Sequence, residues 1–228
     1  MRKSKKVICI IPARGGSKGL KNKNILKLNG HPLIAYPISA AKKSNVCDEI
    51  FVSTDDQDIA SVAIKYGASV PFLRPKKFSK DQTTTEDTLK HSLLSYEKFT
   101  NIKFDICLYL TATDIFRKPS WIKEAVTNLK KNNKIQSCFS ANPTHKNYWH
   151  IRNNVPKRIL KKMKIYSSRQ QKEPIYREDT GLVCASRADL WRKGVRIGDK
   201  VKLLISDLSD INIDIHSHYD FFFSKKNF

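Results

Sequence analysis

From its start to about residue 140 the chain alternates short apolar runs rich in β-branched residues with stretches of helical period. That alternation confines it to βαβ units around a mostly parallel sheet. KVICII (6–11), EIFVST (49–54), SVPFLR (69–74), DICLYLTAT (105–113) and IQSCFSAN (135–142) read as strands. Between them HPLIAYPISAAKKS (31–44), QDIASVAIKYG (57–67), TTTEDTLKHSLLSYEKF (83–99) and PSWIKEAVTNLKKNN (119–133) read as helices. Asp55 and Asp56 are placed to cap the second helix, Gly67 to close it, and a Thr/Glu start resembling a capping box opens the third. From about 143 to 180 the period is lost in a polar, basic, aromatic-bearing excursion, read as hairpins between sheet elements. The pattern returns with GLVCAS (181–186), a helix at RADLWRKG (187–194), VKLLIS (201–206) and the tail INIDIHSHYDFFFSKK (211–226). The expectation is an α/β, Rossmann-like doubly wound, mostly parallel sheet formed by 1–228 as one domain, with that small excursion.

At 228 residues such a core needs no disulfide or metal for stability. The five cysteines, Cys9, Cys47, Cys107, Cys138 and Cys184, are widely spaced with no CxxC, so they read as buried thiols in a reducing, cytoplasmic setting. The first apolar run is short and ends at Pro12 and Arg14, so no secretory signal is expected, and no run has the length of a membrane span. Lys+Arg of 43 against Asp+Glu of 21 gives a net charge of +22, which admits an anionic ligand or a bias of composition without a binding purpose.

In an open parallel sheet the loop after the first strand is the usual phosphate cradle. Here it is ARGGSKG, where Gly15, Gly16 and Gly19 permit close backbone approach and Arg14, Lys18, Lys21 and Lys23 bring positive charge. The spacing is neither GxxxxGK[ST] nor GxGxxG, which argues against an ATPase and a dehydrogenase. A polyphosphate fits this loop better than a neutral ligand.

The stretch IPARGGSKGLKNKNI (11–25) closely resembles the N-terminal signature of the acylneuraminate cytidylyltransferases, which make CMP-activated sialic acids and related nine-carbon keto-sugar acids. The resemblance continues through LNGHPLIAYPISAA, VSTDDQDIASVAIKYGA and FLRPKKFSKDQTTTEDTL, and more loosely through LTATDIFR and IDIHSHYDF. It implies a nucleotidyltransferase that joins CTP to a sugar acid, releases pyrophosphate and uses Mg²⁺, with Arg14, Lys18 and Asp214 as catalytic residues. Nucleotide contacts carry over to Arg14, Ser17, Lys18, Lys23 and Asn24, and base contacts to Arg74, Thr83 and Thr85, although the threonines equally suit a helix cap. For the sugar the resemblance implies Thr111, Arg117, Tyr176 and Arg177, with Lys146, Tyr148 and Arg169 as further candidates. Arg117 alternatively ties down its own loop, and Tyr176 and Arg177 alternatively form a solvated hairpin face.

Two departures from the family pattern stand out: Thr111 and Asp114 replace a more usual Gln and Ser, and His216 stands where a second Asp often sits. Asp214 is the expected Mg²⁺ ligand; imidazole is a poor one, and His216 with His218 makes a weak zinc pattern. The resemblance also implies a homodimer. Neither nucleic acid nor membrane is expected as a partner. The rival readings are an enzyme of the same class acting on an eight-carbon acid, a relative that has lost catalysis, and a basic nucleic-acid-binding protein suggested by VPKRILKKMK (155–164), a patch without a recognised binding motif.

Overall fold

The computed structural model describes residues 5–17, 19–160, 168, 170–206 and 213–227. In chain order its elements begin β1 (Val7–Pro12), β2 (Lys27–Leu28), β3 (His31–Pro32), α1 (Ala35–Ser44), β4 (Glu49–Ser53), α2 (Gln57–Lys65), α3 (Thr85–Thr100) and β5 (Ile106–Tyr109). They continue with α4 (Pro119–Lys131), β6 (Ser137–Thr144), β7 (Trp149–Arg152), β8 (Val155–Arg158), β9 (Ile175–Glu178), β10 (Cys184–Arg187), α5 (Ala188–Arg192), β11 (Val201–Ile205) and α6 (His218–Asn227).

The main sheet has the order β11-β6-β10-β5-β1-β4, with β9 added against β6. β1 pairs in parallel with β4 and β5, and β6 in parallel with β11; β10, antiparallel to β5 and β6, is the one reversed strand on that path. Val7 to Ile11 are wholly shielded from solvent, as a strand covered on both faces requires. Their alternation sends Val7, Cys9 and Ile11 toward Ile38, Ile59, Ile122 and Val126 of α1, α2 and α4. Ile8 and Ile10 face Leu89, Leu93 and Tyr96 of α3 and Trp191 of α5. Each large apolar side chain buried this way contributes roughly 1.5–3 kcal/mol. The fold is therefore an α/β sandwich wound on both faces of a mixed, mostly parallel sheet.

Three local expectations need correction. The predicted strand 69–74 reduces to a single bridge between Ser69 and Phe51, because Pro71 has no N–H to continue the ladder. The predicted first helix does not begin at His31: His31 and Pro32 lie in a two-stranded hairpin whose turn residues Asn29 and Gly30 have φ of 45° and 84°. An Asn-Gly pair is the sequence signal for such a turn. Asp56 alone caps α2, accepting hydrogen bonds from the Asp58 and Ile59 amides, while Asp55 is turned elsewhere.

The excursion contains the β7–β8 hairpin, with Asn153 and Asn154 at positive φ in its turn, and β9, which runs antiparallel to the outer half of β6. A smaller apolar cluster of Leu20, Leu28, Leu33, Ile115 and Ile215 joins the first loop, the β2–β3 hairpin, the segment after β5 and the tail. That cluster brings four stretches of sequence to one end of the sheet.

Candidate active site

β1 lies between β4 and β5, so the chain leaves it in opposite directions and a crevice opens beyond the carboxyl ends of these strands. Two clefts occupy it. The larger, about 460 Å³, is lined by Arg14, Ser17, Lys23, Asn24, Thr111 and His216 among others. The smaller, about 210 Å³, is lined by Arg74, Phe78, Asp81, Thr83, Thr85 and Tyr109 among others. Arg14 and Pro12 border both, which makes Arg14 the side chain between them.

The first loop is shaped from within. The buried Asn24 side chain donates to the Arg14 carbonyl at 2.9 Å, and the Ser17 amide donates to the Gly15 carbonyl at 2.8 Å. The Gly15 amide, expected to face a ligand, instead donates to Asp55 Oδ1 at 3.2 Å. Gly19 lies so close to the tail that a Cβ there would come within 2.5 Å of the His216 carbonyl oxygen, so only glycine permits the contact. Lys23 Nζ donates to the Ile215 carbonyl at 2.9 Å. Burial lowers the pKa of Lys23, against the opposing pull of Asp214 and Asp114. Lys18 and Arg169 lie outside the described residues.

At the smaller cleft Arg74 is 5% exposed, and its Nε donates to Ser79 Oγ at 3.0 Å. Burial pulls its pKa down while Asp55, 3.9 Å away, pulls it up. Thr83 Oγ1 donates to the Lys77 carbonyl at 3.2 Å, and Thr85 opens α3. The cap of α3 is Thr84, whose hydroxyl accepts from the Asp87 amide at 3.0 Å, so Thr83 and Thr85 border the cleft without being the capping residue. Phe78, which sequence reasoning passed over, stacks on His91 with ring centroids 4.1 Å apart. Asp81, also passed over, receives Arg14 NH1 at 2.8 Å.

Beyond β5, Arg117 is 6% exposed and donates to backbone through Nε, to the Leu182 carbonyl at 2.5 Å, and NH2, to the carbonyls of Thr111 at 2.9 Å and Gly181 at 2.6 Å, while its NH1 is buried without a partner. This is the loop-tying arrangement, and burial lowers the guanidinium pKa to about 10. Thr111 Oγ1 donates to Asp114 Oδ2. Asp114 forms an isolated antiparallel bridge with Asp214, and burial followed by the Asp214 charge raises its pKa to about 6.

Asp214 Oδ2 lies 2.7 Å from His216 Nε2, while its Oδ1 is buried without a hydrogen-bond partner. A buried carboxylate oxygen left without a proton donor, on a residue bridged to a second acid, suits a hard divalent cation. Among the described residues no three His, Cys, Asp or Glu side chains gather as a metal cluster. Asp220 and Ser217 cap α6 reciprocally, through Ser217 N to Asp220 Oδ2 at 2.8 Å and Asp220 N to Ser217 Oγ at 3.2 Å. Tyr176 and Arg177 are exposed on β9 and line neither cleft; Arg177 NH2 pairs with Asp179 at 3.0 Å.

The comparisons with known proteins agree with this geometry. The chain is 34% identical over 228 residues, 97% of its own length and 95% of the relative's, to the CMP-N,N'-diacetyllegionaminic acid synthase of Legionella pneumophila. It is 44% identical over 108 residues, 47% of each chain, to the pseudaminic acid cytidylyltransferase of Campylobacter jejuni. Its fold matches the CMP:2-keto-3-deoxy-manno-octonic acid synthetase complexed with CTP at a TM-score of 0.69 and 13% identity, over 97% of this chain and 98% of that one. The cytidylyltransferase family model matches residues 8–208, and the chain belongs to that family of nucleotidyltransferases.

Proposed function

We propose that this enzyme activates a nine-carbon keto-sugar acid of the sialic, legionaminic or pseudaminic type with CTP, giving the CMP-sugar and pyrophosphate. The observation that carries the reading is the pair of clefts meeting at Arg14, one lined by Lys23, Asn24 and Ser17, the other by Arg74, Thr83 and Thr85. The smaller cleft takes the cytosine. The triphosphate crosses at Arg14, and the sugar acid enters the larger cleft beside Thr111. The sugar's anomeric hydroxyl attacks the α-phosphorus, forming the new O–P bond as the bond to the β-phosphate oxygen breaks and pyrophosphate leaves. Arg14 and Lys23 offset triphosphate charge, and the same role is assigned to Lys18 on the resemblance alone. Arg117 acts by holding the 111–117 and 181–182 segments together rather than by touching the sugar.

Mg²⁺ is the proposed cofactor, with Asp214 as ligand, supported by its buried, unpartnered Oδ1. The chemistry the ion supplies when bound is neutralisation of charge on the triphosphate oxygens. A cytoplasmic setting is supported by five free cysteines, and none of the helices among the described residues is long and apolar enough to cross a membrane. A homodimer is supported by exposed apolar residues on the excursion, Trp149, Ile151, Val155 and Tyr176. Tyr176 and Arg177 then meet sugar or the second subunit. The relative matched over 97% of this chain is named for a legionaminic acid, which favours nine-carbon acids over the eight-carbon rival, whose enzyme shares the fold at 13% identity.

The test is pyrophosphate release by the purified protein with CTP, Mg²⁺ and a panel of sialic, legionaminic, pseudaminic and eight-carbon acids, with ATP, GTP and UTP as controls. Release with CTP and one nine-carbon acid is expected. Absence of CTP binding would sink the proposal.

A further inference from the structure

Asp114 is 2% exposed, and the antiparallel bridge to Asp214 sets two acidic residues opposite each other with their strands in register. The Ile215 amide donates to the Thr113 carbonyl at 3.2 Å, which extends that pairing by one bond. The position is confined as well. A Cβ on Gly181 would fall 2.0 Å from Asp114 Oδ2, and Thr111 Oγ1 donates to that same oxygen. The carboxylate is therefore held by packing and by one hydroxyl.

A buried carboxylate such as that of Asp114, set across a bridge from a second acid whose side chain is 39% exposed, is costly unless a cation or a proton lies between them. Arg117 is not a hydrogen-bonded partner, since its Nε and NH2 go to backbone carbonyls and its NH1 is buried without a partner; it favours the Asp114 carboxylate through its charge alone. Lys23 Nζ bonds the Ile215 carbonyl and reaches the two acids through its charge, not through a hydrogen bond. On Asp214 one oxygen faces His216 Nε2 at 2.7 Å, while the other is buried and unpartnered. His216 thus orients Asp214, as ligating carboxylates are themselves held by neighbouring hydrogen-bonding groups.

We infer that Asp114 supplies the second carboxylate of the divalent-cation site, opposite Asp214, and that His216 serves only to orient Asp214. The assignment rests on the CTP-dependent reading above, because the ion's remaining ligands come from triphosphate oxygens and water. It gives the acid on the segment after β5 a task that the tail's histidine cannot perform.

The test is Mn²⁺ binding followed by electron paramagnetic resonance in the presence of CTP, with CTP binding without metal and thermal melting measured on the same samples. Asp114→Asn is expected to weaken Mn²⁺ binding by roughly tenfold or more while metal-free CTP binding and the melting transition persist. His216→Gln is expected to change it by only about threefold or less, an orienting rather than a ligating effect. The double variant Asp114→Ser, His216→Asp moves the acid back to the tail and is expected to recover most of the lost affinity. That variant also covers the case in which Asp114→Asn does not fold. Mn²⁺ affinity unchanged in Asp114→Asn, or lost in His216→Gln and kept in Asp114→Asn, overturns the assignment while CTP binding stands. Failure of the wild-type protein to bind CTP overturns both.

Discussion

Arg14 NH1 reaches Asp81 Oδ1 at 2.8 Å, so the cation of the first loop is tied to the segment before α3 across the border of the two clefts. Both side chains are substantially exposed, at 36% and 47%, and an ion pair of that kind is worth about 0–1 kcal/mol. An incoming triphosphate, with several charges to offer, displaces it readily. Asp81→Asn is therefore expected to lower KM for CTP, by about fivefold at most, with kcat little changed. Arg14→Ala is expected to abolish measurable turnover. Steady-state pyrophosphate release at varied CTP checks both, and full turnover in Arg14→Ala would refute its triphosphate role.

Neighbouring threonines separate helix capping from the lining of the smaller cleft, where the base contact is proposed. Thr84 accepts the Asp87 amide, so Thr84→Ala is expected to cost about 1 kcal/mol of stability with KM for CTP nearly unchanged. Thr83→Ala and Thr85→Ala border the smaller cleft and are expected to raise KM for CTP with a smaller loss of stability. Melting curves paired with nucleotide kinetics decide the assignment; a KM effect confined to Thr84→Ala would contradict it.

Gly19 offers a test of the contact between loop and tail. Adding a Cβ there forces it within 2.5 Å of the His216 carbonyl oxygen, which is backbone and cannot swing away. Gly19→Ala is expected to raise the Mg²⁺ concentration needed for half-maximal activity by roughly tenfold, with metal-free CTP binding retained. Unchanged metal dependence would show that the tail yields without disturbing Asp214.

Far from the clefts, Glu97 joins α3 to α5. Its side chain is 1% exposed and is held by Arg192 NH2 at 2.5 Å, Lys103 Nζ at 2.9 Å and the Phe104 amide at 3.1 Å. Burial pushes its pKa up, but the bonds from Arg192, Lys103 and Phe104 more than compensate and leave it lowered. A carboxylate with a depressed folded-state pKa contributes stability above its unfolded value, about 4.3, that is lost as pH falls through the folded value. Arg192→Ala strands the buried charge and is expected to cost about 3–5 kcal/mol at pH 7. As pH falls below the unfolded value and through the lowered folded one, the variant and wild type are expected to converge, which denaturant melts across pH check.

Much of this was legible in the linear chain because its causes are local. β1 is apolar at every buried position, Asp56 and Thr84 bond to amides two or three residues ahead, and the glycine- and lysine-rich stretch after β1 marks a loop whatever surrounds it. The Asn29-Gly30 turn was equally local and was overlooked, while Pro71 ended a strand that apolar content alone suggested. The commitment of Arg117 to carbonyls near Leu182, the Gly19 contact with His216 and the pairing of Asp114 with Asp214 are of another kind. Each joins segments far apart in sequence, and each depends on β10 returning beside β5 or on the tail meeting the first loop and the segment after β5. Backbone propensity and periodicity act over a few residues; which acid meets which is decided by strand order and packing. The chain thus announced an α/β enzyme by itself, and the tertiary structure alone decided that Asp114 pairs with Asp214 beyond the ends of its strands.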